Sequence, residues 1–467
     1  YYASRGLGDV YKRQVFSSIT FLFCFLPVVL LLYYVCRSIV WKNVILLIAS
    51  LLFYAWGEPV YVILMILSIL FNYYAGREIE AAHKKSSLAF AVIINLLILG
   101  YFKYSGFLVD TVNSIFGTSF VNKRLALPIG ISFYTFQAMS YLIDVYRGDS
   151  KGQKNVLTFA VYITMFPQLI AGPIVRYQDI ENQLNGRTPD ADDFREGIPM
   201  FVKGFFKKVV LANVIGSLHT QILAMGMSNI SAMTAWLGAL AYTLQIFNDF
   251  SGYSDMAIGL GRMLGFEFPK NFDRPYASGS VTEFWRRWHI SLGTWFREYV
   301  YIPLGGNRKG VKRQIINLLI VWALTGLWHG AAWNFVIWGL YYGILLIFEK
   351  FVYVHLQKRL PKFLNVVITF IVVIIGWVFF FSNNMTEAVS YLKAMFGQSG
   401  CSHDGMGGFL LLNNLVMIIL AWIPSVFDFK EGKKKSPLKW VLCIMVFLIT
   451  IAFLVSESYN PFLYFRF

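Results

Sequence analysis

The sequence predicts an all-α polytopic integral membrane protein, and three observations carry that prediction. Of the 467 residues, 57% are hydrophobic and only 14% are charged, whereas a soluble folded chain carries roughly 45–50% apolar and about 25% charged residues. Mean hydropathy is +0.57, and there is too little charge to cover a water-facing surface of this size. Forty-one Lys and Arg against 25 Asp and Glu give a net charge of +16. In a soluble chain that excess would point to nucleic acid. Here the basic residues fall in short clusters between apolar runs, as expected when positive loops stay on the cytoplasmic side of a bilayer. The expected partner is membrane lipid and not nucleic acid. Disorder, coiled coil and an ordinary cytosolic enzyme are excluded on the same grounds.

Along the chain, residues 1–14 are polar and give way abruptly to an apolar run. They lack the order of charge, apolar stretch and small-residue cleavage site of a signal peptide. Asp9–Gln14 reads like translated sequencing-adapter DNA, so residues 1–14 are expected to be a non-native artefact, with 15–467 a single membrane domain. A spanning helix needs roughly 20 mostly apolar residues. Candidate spans are 16–36, 43–56, 59–75, 87–105, 126–145, 156–175, 231–248, 315–329, 332–349, 363–381, 409–427 and 439–456. Several are short, so roughly 10–13 spans are expected, with interfacial helices between them. The clusters Arg37/Lys42, Arg77/Lys84/Lys85, Lys309/Lys312/Arg313, Lys358/Arg359/Lys362 and Lys430/Lys433/Lys434/Lys435 are expected in the cytoplasm. Residue 16 and Phe467 then lie outside, and Lys123/Arg124 fit this count poorly. In residues 197–214, Lys203, Lys207 and Lys208 at helical spacing predict an amphipathic helix with its lysines toward lipid headgroups.

Chemistry is expected within 245–335, because charge at membrane depth is costly and marks a cavity or pathway. Residues 283–299 (EFWRRWHISLGTWFREY) place Trp285, Trp288, His289, Leu292 and Phe296 on one face if helical, with Glu283 paired to Arg287 at i, i+4. An interfacial anchor would account for the Trp and Arg but not for a titratable His289 on that face. The second constellation is LTGLWHGAAWNF (324–335), with His329 between two short apolar spans. Gly326, Gly330, Ala331 and Ala332 allow close approach of backbone or ligand. A lone membrane histidine is either a helix–helix hydrogen bond or a general base for a hydroxyl acceptor. Upstream, Asp249, Asp255 and Arg262 suggest internal pairing or a lined cavity. No GxSxG elbow, Ser/His/Asp order or GxGxxG after a strand is present. Cys24, Cys36, Cys401 and Cys443 show no CxxC spacing, and no metal is expected.

FWRRWHISLGTWFREYVYIPLGGNR (284–308) together with LTGLWHGAAWNF resembles the membrane-bound O-acyltransferase superfamily, in particular its bacterial polysaccharide O-acetylation branch. LLFYAWGEP (51–59), LPIGISFYTFQAMSYLIDVYRG (127–148), FPQLIAGPI (166–174) and the terminal FLYFRF extend the likeness from Val15 onward. Gly293 departs from it, since many relatives carry Ser there. The resemblance implies helices around a transmembrane tunnel, entered by an acyl donor from the cytoplasm and by the acceptor from the other side. It makes His329 the essential histidine and His289 the second catalytic position. His329 would deprotonate the attacking hydroxyl and His289 would orient or polarise the thioester. Arg286, Arg287 and Arg297 would hold an anionic donor such as acetyl-CoA, with Trp288, Asn334 and Asp255 as further substrate contacts. No bound cofactor is implied. The expected acceptor is a cell-surface polysaccharide, the expected location the bacterial inner membrane, and the expected partner an extracytoplasmic SGNH-type acyltransferase. The alternatives are D-alanylation of teichoic acid, a transporter using both histidines as a proton relay, and an assembly scaffold.

Overall fold

The computed structural model describes residues 16–122, 125–170, 172–427 and 437–456. Residues 1–15, Lys123/Arg124, the lysines at 430–435 and the 457–467 segment lie outside the described residues, so the expectations that fall on them concern sequence alone. Among the described residues every regular element is a helix. Seven helices are long and apolar enough to cross a membrane: Ile39–Gly57, Tyr61–Ala82, Lys85–Phe116, Trp333–Gln357, Lys362–Phe381, Gly407–Val426 and Pro437–Ser456. Their exposed side chains include many large apolar ones, among them Leu52, Trp56, Leu97, Phe363 and Leu448, as a lipid-facing surface requires.

The other apolar runs are helical but fail on length, continuity or polarity. Phe21–Val35 is shorter. The 156–175 run breaks at Met165 into Val156–Thr164 and Phe166–Leu169, the second with proline in its first turn. Proline is tolerated there but cannot continue a helix from upstream. The 231–248 run is the first half of a 32-residue helix, Ala232–Met263, whose centre carries buried Gln245, Asn248, Asp249, Ser251 and Ser254.

The chain divides into two compact units, Tyr1–Val202 with Tyr253–Pro269 and Lys203–Gly252 with Lys270–Phe467. In the first, the helix Ile131–Arg147 packs against Tyr61–Ala82 and Lys85–Phe116 and is buried along almost its whole length. Gly76 makes that packing possible, since a Cβ there would lie 2.4 Å from Tyr141 Cε1. Asn72 and Asn95 exchange side-chain amide bonds of 3.1 and 2.8 Å between the two spans, which satisfies both groups away from water. Arg187 donates through Nε to Tyr33 Oη at 2.7 Å, and Tyr33 Oη donates to the Leu264 carbonyl at 2.6 Å.

In the second unit, Gly310–His329 and Trp333–Phe348 form a tight pair of helices. A Cβ on Gly326 would lie 2.3 Å from the Phe335 carbonyl oxygen, and one on Gly339 would lie 2.2 Å from that of Trp322. Small residues bring the two backbones together here, as the 324–335 composition predicts. Residues 203–212 correct another expectation. Lys207 and Lys208 do not face headgroups: they are 6% and 0% exposed. Lys208 Nζ forms a buried ion pair with Asp249, while Lys207 Nζ reaches Ser251 Oγ at 3.4 Å and lies over the Phe247 ring. Gly252 lets the helices approach so closely that a Cβ would sit 2.7 Å from the Gly204 carbonyl oxygen. Helical spacing places the lysines on one face but cannot say whether a carboxylate on another helix waits for them. Only Lys203 is partly exposed.

Candidate active site

The 283–299 segment is not one helix. Val281–Arg287 is capped at its start: Ser280 Oγ accepts from the Glu283 N–H at 2.9 Å, and Glu283 Oε2 reaches back past the cap to accept from the Gly279 N–H at 2.7 Å. Glu349 adds a second carboxylate at this N-terminus, accepting from Val281 and Thr282 N–H at 2.6 and 3.1 Å, where helix dipole and unpaired amides favour negative charge. The predicted Glu283–Arg287 pair is present at 2.6 Å.

The helix then stops at Trp288, whose ψ is 127°, and His289 takes a left-handed conformation with φ 46°. A second helix, Ile290–Phe296, begins immediately and runs into a π-helical turn, Arg297–Tyr301. The break has a cause outside the segment. The loop 271–274 pairs with it, Ile290 N–H donating to the Asn271 carbonyl and Asp273 N–H to the Arg287 carbonyl, both at 2.9 Å. Spacing within 283–299 carries no trace of that loop, so the continuous apolar face expected there is split.

The split separates the aromatic residues. Trp288 is 3% exposed and packs against Phe272, Tyr276, Phe284 and Trp377 with ring centroids 4.8–6.1 Å away. Trp285 turns to Trp322, Trp338 and Tyr342. His289 is 2% exposed. Its Nδ1 lies 3.1 Å from Asn271 Oδ1, and its ring meets Phe250 edge-on at 4.7 Å.

His289 lines a cavity of about 740 Å³ whose wall also carries Arg286, Arg297, Gln314, Glu349 and Lys350. His329, the last residue of Gly310–His329, is 4% exposed and sits among Trp328, Trp338 and Phe380 at 4.9, 5.0 and 5.2 Å. Trp328 is also 5.9 Å from His289, so one indole contacts both imidazoles. The cavity wall includes His289 but not His329.

The remaining candidate residues take different places. Arg286, Trp288 and Arg297 line the cavity with His289, whereas Arg287 is outside its wall and bound to Glu283. Asn334 spends its amide hydrogens on the Phe379 and Ser382 carbonyls at 3.1 and 2.8 Å, tying the start of one helix to the end of another. Asp255 belongs to the first compact unit. Sequence reasoning missed Asn271, Glu349 and Lys350. Asn271 belongs to a polar run within the 245–335 region, but nothing along the chain marks its pairing with His289. Among the described residues no cluster of three or more His, Cys, Asp and Glu is placed to hold a metal.

Two buried imidazoles packed against one indole, one of them on the wall of a cation-bearing cavity, can accept and pass on a proton while an anionic donor is held. The membrane-bound O-acyltransferase family model matches residues 150–387. A probable alginate O-acetylase of Pseudomonas putida is 41% identical, over 97% of this chain and 100% of its own length. A peptidoglycan O-acetyltransferase of Helicobacter pylori is 33% identical over 97% of each. A teichoic acid D-alanyltransferase of Bacillus subtilis is 30% identical over 54% of this chain and 68% of its own. The chain belongs to the membrane-bound O-acyltransferase family and is a multi-pass membrane enzyme that transfers acyl groups to oxygen.

Proposed function

We propose that the protein sits in the bacterial inner membrane and moves acetyl groups from a cytoplasmic thioester, acetyl-CoA or another acyl carrier, toward a cell-surface polysaccharide. The observation that carries this reading is the cavity lined by His289 together with Arg286, Arg297 and Lys350, with His329 packed against the same Trp328 that His289 meets. Guanidinium and ammonium groups on the wall suit a phosphate-bearing donor. The acceptor oxygen bonds to the thioester carbonyl carbon and the C–S bond breaks. His329 takes the hydroxyl proton, and a proton ends on the departing sulfur, giving a thiol. His289 holds the thioester side. The acceptor is an alginate-like exopolysaccharide or peptidoglycan, reached through an extracytoplasmic SGNH-type acyltransferase. Support for acetyl over D-alanyl comes from the relatives: the two O-acetylating proteins align with 97% of this chain, the D-alanyltransferase with 54%.

The test is deletion of the gene followed by complementation, with mild alkaline release of ester-linked groups from the cell envelope. Acetate should fall on deletion and return with the wild-type gene, while ester-linked D-alanine stays constant. A change in D-alanine with acetate unaltered would replace this reading with teichoic acid D-alanylation.

A further inference from the structure

Asn271 Oδ1 lies within hydrogen-bond reach of three groups: the Ser291 N–H at 3.2 Å, Ser291 Oγ at 2.9 Å and His289 Nδ1 at 3.1 Å. A main-chain N–H only donates, so the Ser291 amide identifies this atom as the oxygen of the Asn271 side chain. An amide oxygen only accepts. His289 Nδ1 therefore carries its hydrogen, and the lone pair of the neutral ring is on Nε2. The backbone holds both partners in register, since Ile290 N–H donates to the Asn271 carbonyl at 2.9 Å. His289 also keeps a left-handed backbone, φ 46°, which is unfavourable for a residue with a Cβ and clusters at functional sites. Asn271 is 1% exposed, and its Nδ2 has no hydrogen-bond partner among the described residues. An asparagine kept with a buried donor unsatisfied is one whose oxygen matters.

We propose that Asn271 is the positioning residue that fixes His289 as the Nδ1–H tautomer, so that Nε2 faces acyl transfer as a proton acceptor. This rests on the reading of His289 as part of the transfer site and narrows its role. A neutral ring in this tautomer takes a proton at Nε2; it does not donate one to the thioester carbonyl. His329 takes the proton from the acceptor hydroxyl, and His289 Nε2, on the cavity wall, receives it before it ends on the sulfur released from the broken C–S bond. The charged groups nearby are Arg286, Arg297, Glu349 and Lys350 on the cavity wall, Lys270, Asp273 and Arg274 on the Asn271 loop, and the Lys208–Asp249 pair on the turn that bears Phe250. Substituting Asn271 leaves all of them in place.

The test uses the full chain in lipid nanodiscs with ¹⁵N-labelled histidine. The resonance lost in His289→Ala identifies His289, and its nitrogen shifts report which atom is protonated at neutral pH. The expected wild-type form is Nδ1–H. Asn271→Ala should revert to the Nε2–H form that imidazole favours in water and should lower surface O-acylation about 10–100-fold. Asn271→Asp keeps an accepting oxygen and should restore both the Nδ1–H tautomer and most of the acylation. Nε2–H in the wild type, or Nδ1–H persisting in Asn271→Ala, overturns the proposal, as does wild-type acylation in an Asn271→Ala protein whose tautomer has switched. Should Asn271→Ala not fold, the aspartate variant decides, because loss of the Nδ1–H form there also overturns it. Normal acylation by His289→Ala would instead sink the reading of the site, while the spectra still report whether Asn271 sets the tautomer.

Discussion

His289 and His329 are both buried and both touch Trp328, yet they are held by different means. His289 interrupts a helix, takes a left-handed backbone and hydrogen-bonds to a side chain 18 residues earlier. His329 ends an ordinary helix, and three aromatic rings pack around it. A hydrogen bond to one ring nitrogen sets both the orientation and the tautomer of an imidazole. The contrast matches the proposed division of labour, a directed proton acceptor on the donor side and a base that must fit a bulky hydroxyl substrate on the other.

The largest expected effect comes from breaking either side. His289→Ala and His329→Ala should each lower envelope O-acylation about 10²–10⁴-fold, the usual cost of removing a positioned acid–base group, at unchanged protein level and membrane insertion. His329→Phe sharpens the comparison. It keeps an aromatic ring in the Trp328–Trp338–Phe380 packing but has no nitrogen, so it should fold and be as inactive as alanine. His83, His355 and His403 are exposed, and their alanine variants should acylate normally. A His329→Phe protein that retained activity would make that histidine structural, since a membrane hydrogen bond averages only about 0.6 kcal/mol.

The same contrast explains what could be read from the sequence. The membrane character, the helical class and the 324–335 hairpin are local: composition, apolar run length and small residues carry them, and Gly326 packs against Phe335 as its neighbours suggest. His329 was legible as the histidine of that short motif, although two of the three rings around it, Trp338 and Phe380, lie outside it. His289 was legible as a titratable residue among aromatics, but its setting was not. The helix break, the Asn271 contact and the Glu349 cap all come from residues 14 to 68 positions away. Lys207 and Lys208 failed likewise. Their helical spacing is correct, but the Asp249 that neutralises Lys208 lies 41 residues on, and no periodicity within 197–214 reveals it.

A smaller effect tests whether the cations beside His289 serve the donor. Arg286 and Arg297 are exposed on the cavity wall, and Arg297 already meets Glu298 at 2.9 Å. Exposed ion pairs contribute about 0.2–1 kcal/mol, so Arg286→Ala, Arg297→Ala and Lys350→Ala should each raise the KM for acetyl-CoA no more than about fivefold, leaving kcat nearly unchanged. Measured on membranes with acetyl-CoA as donor, the triple variant should show the product of the single effects. Arg287→Ala is the comparison: its side chain is committed to Glu283, so it should lower thermal stability without raising KM. A kcat defect in the cavity variants would place these residues in the chemical step and not in donor binding.

The smallest effect lies away from both histidines, where a polar contact holds only a loop. Asp404 Oδ2 accepts from the Ser231 N–H at 2.8 Å, and Oδ1 accepts from the Met406 and Gly407 N–H groups at 3.1 Å each. The carboxylate thus caps the starts of Ala232–Met263 and Gly407–Val426 together. Burial pushes its pKa up, but the hydrogen bonds from Ser231, Thr234, Gly407 and Met406 outweigh that and hold the carboxyl well below its ordinary value. A depressed folded-state pKa contributes stability that is present above the unfolded value, about 3.9, and is lost as pH falls toward the folded one. Asp404→Ala should therefore melt slightly below the wild type at neutral pH, and the gap should narrow once the pH drops beneath about 4, as the carboxyl protonates in the unfolded chain while the folded protein still holds it ionised. O-acylation by this variant should match the wild type at neutral pH. A melting-temperature gap that does not change with pH would mean that the lost contact is packing and not charge. A loss of acylation would mean that this cap, unlike the Asn271 contact with which it is compared, had been wrongly separated from the transfer site.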